Sequence, residues 1–201
     1  MLTETDGMLF KTEDDAAYPI RQSDMPDEFR ILISQYPRND WEGHPGFHQP
    51  TRNWLGAHLM FRRLTGIVRT DLESYLDRKR PLENTLVRLS HYGDALFRNL
   101  HGHHHFEDTS YFPELLAADP RFAGGLEILE KDHEVLDQVL HDFADGANDL
   151  IAGYEAKSAP DEKKIGHLHD LSRAIDKLLA RHLSDEEELA VPIILHHRLR
   201  G

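Results

Sequence analysis

From Thr51 onward, apolar residues recur in alternating steps of four and three through four stretches of the chain. The first stretch runs through Trp54, His58, Phe61, Thr65, Val68, Leu72 and Tyr75. The others run from Leu82 to Glu107, from Phe122 to Ala147 and from Leu168 to Ile193. A stripe of this period covers one face of a helix and predicts a buried seam. The stripes are interrupted at Lys79-Arg80-Pro81, at Ala118-Asp119-Pro120 and at Lys157-Ser158-Ala159-Pro160, where a proline suits the first turn of the next helix. Connections this short turn each helix back on its predecessor. The spacing therefore predicts an all-α fold, an antiparallel up-and-down four-helix bundle over residues 51–201.

Residues 1–50 follow no such period. Pro19, Pro26, Pro37, Pro45 and Pro50 break every polar stretch there, which predicts an extended N-terminal arm packing on the bundle. Its one expected regular element is a short helix over Asp27 to Ser34, capped by Asp24 or Asp27. No stretch alternates with strand period, and no glycine-rich phosphate loop or Gly-x-Ser-x-Gly elbow occurs, so phosphoryl transfer and hydrolase chemistry find no support.

Each seam is interrupted by one histidine: His58, His103, His133 and His182. A single imidazole on a buried stripe is ordinarily a core residue bonded to a neighbour. Four are different, because the point midway between His58 and His103 falls at the Arg80-Pro81 turn, that between His103 and His133 at Ala118-Asp119, and that between His133 and His182 beside Lys157-Ser158. Antiparallel helices rise equally on either side of a turn, so all four rings are predicted to share one level of the bundle. Converging imidazoles leave ring nitrogens unsatisfied unless something binds them, and a metal ion is the ordinary solution. Glu107 and Glu186 lie four residues after His103 and His182, on the same helix faces. Carboxylates buried there are neutralised if they bridge two cations.

Composition narrows the chemistry. The chain has no cysteine, which excludes disulfides, thiolate metal sites and iron–sulfur clusters, so a metal must be held by nitrogen and oxygen. A formal charge of −13 argues against nucleic-acid and anionic-membrane partners. The acidic first twenty residues, with Glu4, Asp6, Glu13, Asp14 and Asp15, lack a basic start and an apolar core, from which a cytoplasmic location is expected.

A longer signature, His-x3-Glu-[Asp/Glu]-x4-Pro, occurs twice, as His103, Glu107, Asp108, Pro113 and as His182, Glu186, Glu187, Pro192, and points to duplication of a helix pair. On these residues the chain resembles the hemerythrin-like family, also called the HHE cation-binding domain. The run His103-His104-His105-Phe106-Glu107-Asp108 with Tyr111-Phe112-Pro113 is similar to that family's second-helix motif, and His182-Leu183-Ser184-Asp185-Glu186-Glu187 to its fourth. The resemblance covers roughly Trp54 to Leu195. It implies a carboxylate-bridged pair of iron ions, with an oxo or hydroxo bridge as a further option. In it His58, His103, His133 and His182 would be terminal ligands and Glu107 and Glu186 bridges. Iron, in preference to zinc or manganese, comes from the resemblance alone.

The oxygen-carrying members have a second histidine on the third helix where this chain has Asp137. The difference implies a more open iron and favours water, peroxide or nitric oxide over reversible oxygen carriage. Asp137 reads equally as a ligand or as an acceptor behind one. The lack of cysteine disfavours the family's iron-centre repair branch. Three functions compete: a di-iron protein binding or reacting with dioxygen, hydrogen peroxide or nitric oxide, as a peroxide- or oxygen-reactive oxidoreductase if it is an enzyme; a non-catalytic metal-binding, iron-handling or sensor module; and a ferritin-like oxidase, for which only Glu130 to His133 has the required spacing.

Among the remaining candidates, His104 is turned about 100° from the seam and is expected to face solvent or stand behind the ligands. His101 and His105 are expected to point away, and His141 with Asp145 to form a surface pair. His44 and His48 in the arm are candidates for a fifth imidazole. Tyr111 reads as a packed aromatic or as a donor to a metal-bound oxygen, and His91, His167, His169, His196 and His197 as surface residues.

Overall fold

The computed structural model of the protein describes residues 18–21 and 23–199; most of the acidic N-terminal stretch lies outside them. Helix α1 spans Gln49–Leu76 and α2 spans Leu82–Phe106, which continues through a π-helical turn, Glu107–Tyr111, into α3, Phe112–Ala118. A 3-10 turn at Pro120–Phe122 leads into α4, Ala123–Glu155, and α5 spans Glu162–His197. Among the described residues no strand occurs and no helix is long and apolar enough to cross a membrane.

Contacts along each pair of helices run in opposite senses. On α1 and α2, Trp54 meets Glu107, His58 meets His103 and Asp71 meets Arg88. On α4 and α5, Gly125 faces Leu189, His133 faces His182 and Gly146 faces Leu168. The helices thus close a ring in which α1 packs on α2 and α5, and α4 on the same two.

Two of the connections are built alike. After α1, Arg78 takes a left-handed conformation (φ 59°), the Lys79 N–H donates to the Ser74 carbonyl and that of Arg78 to Tyr75. After α4, Lys157 (φ 58°) repeats this, with Ser158 donating to Gly153 and Lys157 to Tyr154. Both are Schellman closures that satisfy the last carbonyls, with a cationic side chain where glycine is usual. The π turn has a local cause: Pro113 has no N–H for the Thr109 carbonyl, and the Phe112 N–H instead reaches back to Glu107.

Every predicted seam is inside. The apolar part falls into two clusters. One contains Phe61, Val68, Leu100, Leu136 and Leu183; the other contains Trp54, Tyr111, Leu129, Leu189 and Ile193. On the helices that carry His58, His103 and His133 the chain passes from one cluster to the other across the histidine, and on α5 between Leu183 and Leu189, so a polar layer lies between two apolar ones.

Before α1, Ile20 is buried in the first cluster, and Met25, Leu32, Trp41 and Phe47 are buried in the second. Phe29 packs on Gly124 and Gly125, where an added Cβ would meet its ring at 2.5 and 3.1 Å. The expected helix over Asp27 to Ser34 is only a 3-10 turn, Asp27–Phe29, followed by further turns. Neither Asp24 nor Asp27 caps it, since Pro26 holds the N-cap.

Candidate metal centre

The four predicted rings meet in the polar layer. His58 Nε2 lies 3.0 Å from His103 Nε2, and His133 Nε2 lies 3.1 Å from His182 Nε2. In two of the rings the other nitrogen is committed. His58 Nδ1 lies 3.0 Å from Glu187 Oε1, and His133 Nδ1 lies 2.7 Å from Asp108 Oδ1. Each Nδ1 thus carries the proton donated to its carboxylate, and each Nε2 presents a lone pair to the core. The two carboxylates come from equivalent places in the duplicated signature, and each holds a histidine of a different helix.

Glu107 and Glu186 span the two pairs of rings. Glu107 Oε1 is 2.8 Å from His103 Nε2 and 3.9 Å from His58 Nε2, and its Oε2 is 3.6 Å from His133 Nε2. Glu186 Oε2 is 3.5 Å from His58 Nε2 and 3.7 Å from His182 Nε2. Both carboxylates are fully buried. Their electrostatics diverge: burial raises the Glu107 pKa, but the His103 imidazole bonded to it and the His58 imidazole nearby outweigh it and hold the group well below the ordinary carboxylate range. Glu186 is pushed well above that range by burial and by the Glu107 charge. Trp54 also serves Glu107, its indole Nε1 donating to Oε1 at 2.6 Å.

The layer is short of hydrogen-bond partners. Glu107 Oε2, both oxygens of Glu186, both ring nitrogens of His104 and Nδ1 of His182 are buried and unpartnered. Unpartnered ring nitrogens and carboxylate oxygens buried together are costly, and cations among them would relieve these contacts. The donors fall into two groups able to hold an ion: His58, His103, Glu107 and Glu186, and His104, His133 and His182. Nitrogen and oxygen donors in this mixture suit iron, manganese or zinc.

The model of the hemerythrin HHE cation-binding domain matches residues 49–194. The chain belongs to this family. Comparison with curated proteins and with solved structures returns no match. The HHE layer contains one residue that was expected elsewhere. His104 is 1 % exposed and stacks on His133, ring centroids 4.0 Å apart and 12° from parallel. The signal for it lay in the Leu96, Leu100, His104 spacing of four, because the buried face of α2 is wider than a single stripe. Asp137 stands behind it, Oδ1 3.8 Å from His104 Nδ1.

His44 and His48 stay outside the HHE layer. His44 Nδ1 accepts from the Gly46 N–H, and its ring stands edge-on to Tyr36; His48 is the N-cap of α1. Tyr111 is fully buried against Trp54, centroids 5.1 Å apart, and Glu130 is exposed. His91, His101, His105, His141, His167 and His196 are exposed, and His141 bonds the Asp137 carbonyl.

Sequence reasoning also missed a set of arginines. Arg38 and Arg62 both bond Glu187, the partner of His58, the latter at 2.8 Å. With His58 they outweigh the effect of burial and hold the Glu187 pKa down to about 2. Arg21 bonds Asp132 at 2.8 Å and Asp185 at 2.6 Å. Asp132 lies 3.8 Å from His182 Nδ1, close enough to act electrostatically and too far for a hydrogen bond.

Proposed function

We propose that the bundle core holds a carboxylate-bridged pair of iron ions, at which a small oxidant, dioxygen, hydrogen peroxide or nitric oxide, binds or reacts. In this reading His58, His103, His133 and His182 are terminal nitrogen donors and Glu107 and Glu186 are bridges. One observation carries it: two facing pairs of imidazole nitrogens, 3.0 and 3.1 Å apart, are both spanned by the same two carboxylates.

Iron, when bound, supplies redox chemistry and open positions for a small ligand. The protein supplies the rest. Glu187 and Asp108 keep a proton on Nδ1 of His58 and His133, so that Nε2 is available as a donor. Trp54 fixes the rotation of Glu107. The apolar clusters on either side shield the layer from bulk water. Asp108, 40 % exposed and bonded to His133, connects the layer to solvent and offers a path for protons. A cytoplasmic setting goes with this reading.

The contacts from Arg21 and Arg38 to carboxylates of the layer favour a second reading, a non-catalytic sensor or iron-handling module whose N-terminal segment responds to the state of the centre. Aerobic purification, iron stoichiometry and near-ultraviolet absorbance with and without peroxide test both. Two irons per chain with oxygen evolution from peroxide support catalysis. A spectral change without turnover supports sensing or binding. A folded protein that takes up no metal overturns both.

A further inference from the structure

We infer that His104 supplies a fifth imidazole to the centre, joining His133 and His182 on one ion, and that Asp137 orients it. This rests on the dinuclear reading above and adds a ligand to it.

His104 is as buried as His58, His133 and His182, and its ring lies against those of His133 and His182, at 4.0 and 5.6 Å between centroids. Neither of its nitrogens has a hydrogen-bond partner. As a packing residue it would be a poor choice, because a leucine would continue the row from Leu96 and Leu100 with no polar atom to satisfy. As a ligand it accounts for both nitrogens. One ligand atom each from His104, His133 and His182 lies within 4.8 Å of the others. Three nitrogens on one tetrahedral ion, each about 2.1 Å from it, lie about 3.4 Å apart, so an inward movement of about 1 Å completes the group.

The other nitrogen has its acceptor in place. Asp137 Oδ1 is itself buried without a partner and lies 3.8 Å from His104 Nδ1. A movement of about 1 Å brings the two to hydrogen-bond distance and reproduces the pattern at His58–Glu187 and His133–Asp108, a carboxylate on Nδ1 and Nε2 toward the core. The two ions would then differ: one with three imidazoles, the other with His58 and His103, and the two glutamates between them.

The test compares wild type with His104→Leu, each loaded with ferrous iron and desalted. Wild type is expected to retain two irons per chain and His104→Leu about one, while the metal-free variant unfolds at the wild-type temperature or above, since an unsatisfied imidazole has been removed. Two irons in the variant, with an unchanged absorption spectrum, overturn the fifth ligand and leave the dinuclear reading intact. No iron in wild type overturns both. A measurement on wild type alone covers the case in which the variant does not fold. In cobalt-loaded protein labelled with 15N-histidine, five hyperfine-shifted imidazoles are expected, and four overturn the inference.

Discussion

Replacing Glu107 by alanine separates the fold's need for this carboxylate from the metal's. In the metal-free protein the substitution strands two donors, the buried Trp54 Nε1 at 2.6 Å and the partly buried His103 Nε2 at 2.8 Å. Each stranded donor costs about 1–3 kcal/mol. Relief from burying a carboxylate offsets part of this, leaving a net loss of about 2–4 kcal/mol. At about 2–4 °C per kcal/mol for a chain of this size, the unfolding midpoint should fall by about 4–16 °C. The metal-loaded protein carries a second effect. An ion held at a free concentration 100 times its Kd adds about 2.7 kcal/mol, and two ions about 5 kcal/mol. Wild type should therefore gain roughly 10–20 °C on loading, and Glu107→Ala less than half of that, because each ion loses a bridging oxygen. Differential scanning calorimetry with and without ferrous iron, paired with iron per chain after desalting, reads both effects. A variant that keeps two irons and the full metal-induced rise would refute the bridging role, whatever its loss in the metal-free form.

Four further outcomes are expected. Asp132→Asn, which removes the carboxylate nearest His182 Nδ1, should weaken iron binding about tenfold, and Arg21→Gln by less, both read by competition with a chelator. In the metal-free protein Glu187 has a folded pKa near 2 against an ordinary 4.5, so its contribution is complete above about pH 4.5 and is lost as pH falls toward 2. Melting curves from pH 5 to 3 should accordingly slope less in Glu187→Gln, and equal slopes would count against the Arg38–Glu187–Arg62 network. His104 and His182 are held neutral by burial, with pKa values lowered to about 3 and about 4. The unfolded chain then binds more protons below about pH 6.5, and metal-free stability should decline from there downward; a flat profile between pH 6.5 and 4.5 would argue against their burial. Lys157→Gly should raise the midpoint by about 2–4 °C by removing a left-handed non-glycine conformation worth about 1 kcal/mol, an effect independent of metal.

The bundle was readable from the chain because its signals are periodic and local. Four stripes, each broken by one histidine at a matched distance from its turn, determine which side chains share a level, and His58, His103, His133 and His182 do meet there. Glu107 and Glu186 follow from the same helical spacing. His104 escapes a single-stripe reading because the buried face of α2 is wider than one residue, as Leu100 four residues before it indicates. Trp54 sits on its seam as a core residue, and nothing in its spacing says that its indole N–H reaches Glu107 from the neighbouring helix. Arg21 and Arg38 were invisible for another reason. They lie in a stretch with no period and act on acidic residues of α4 and α5, so their role exists only once distant segments have packed.

Those two arginines move the boundary of the working unit away from the boundary of the helical repeat. Glu187 and Asp132 are buried anions, 3 and 7 % exposed, and they need counter-charges wherever they occur. In a fragment starting at Gln49, Glu187 would keep Arg62, whereas Asp132 would lose the guanidinium that neutralises it. A related bundle with no segment before its first helix must then either do without these acids or find cations elsewhere on its own surface.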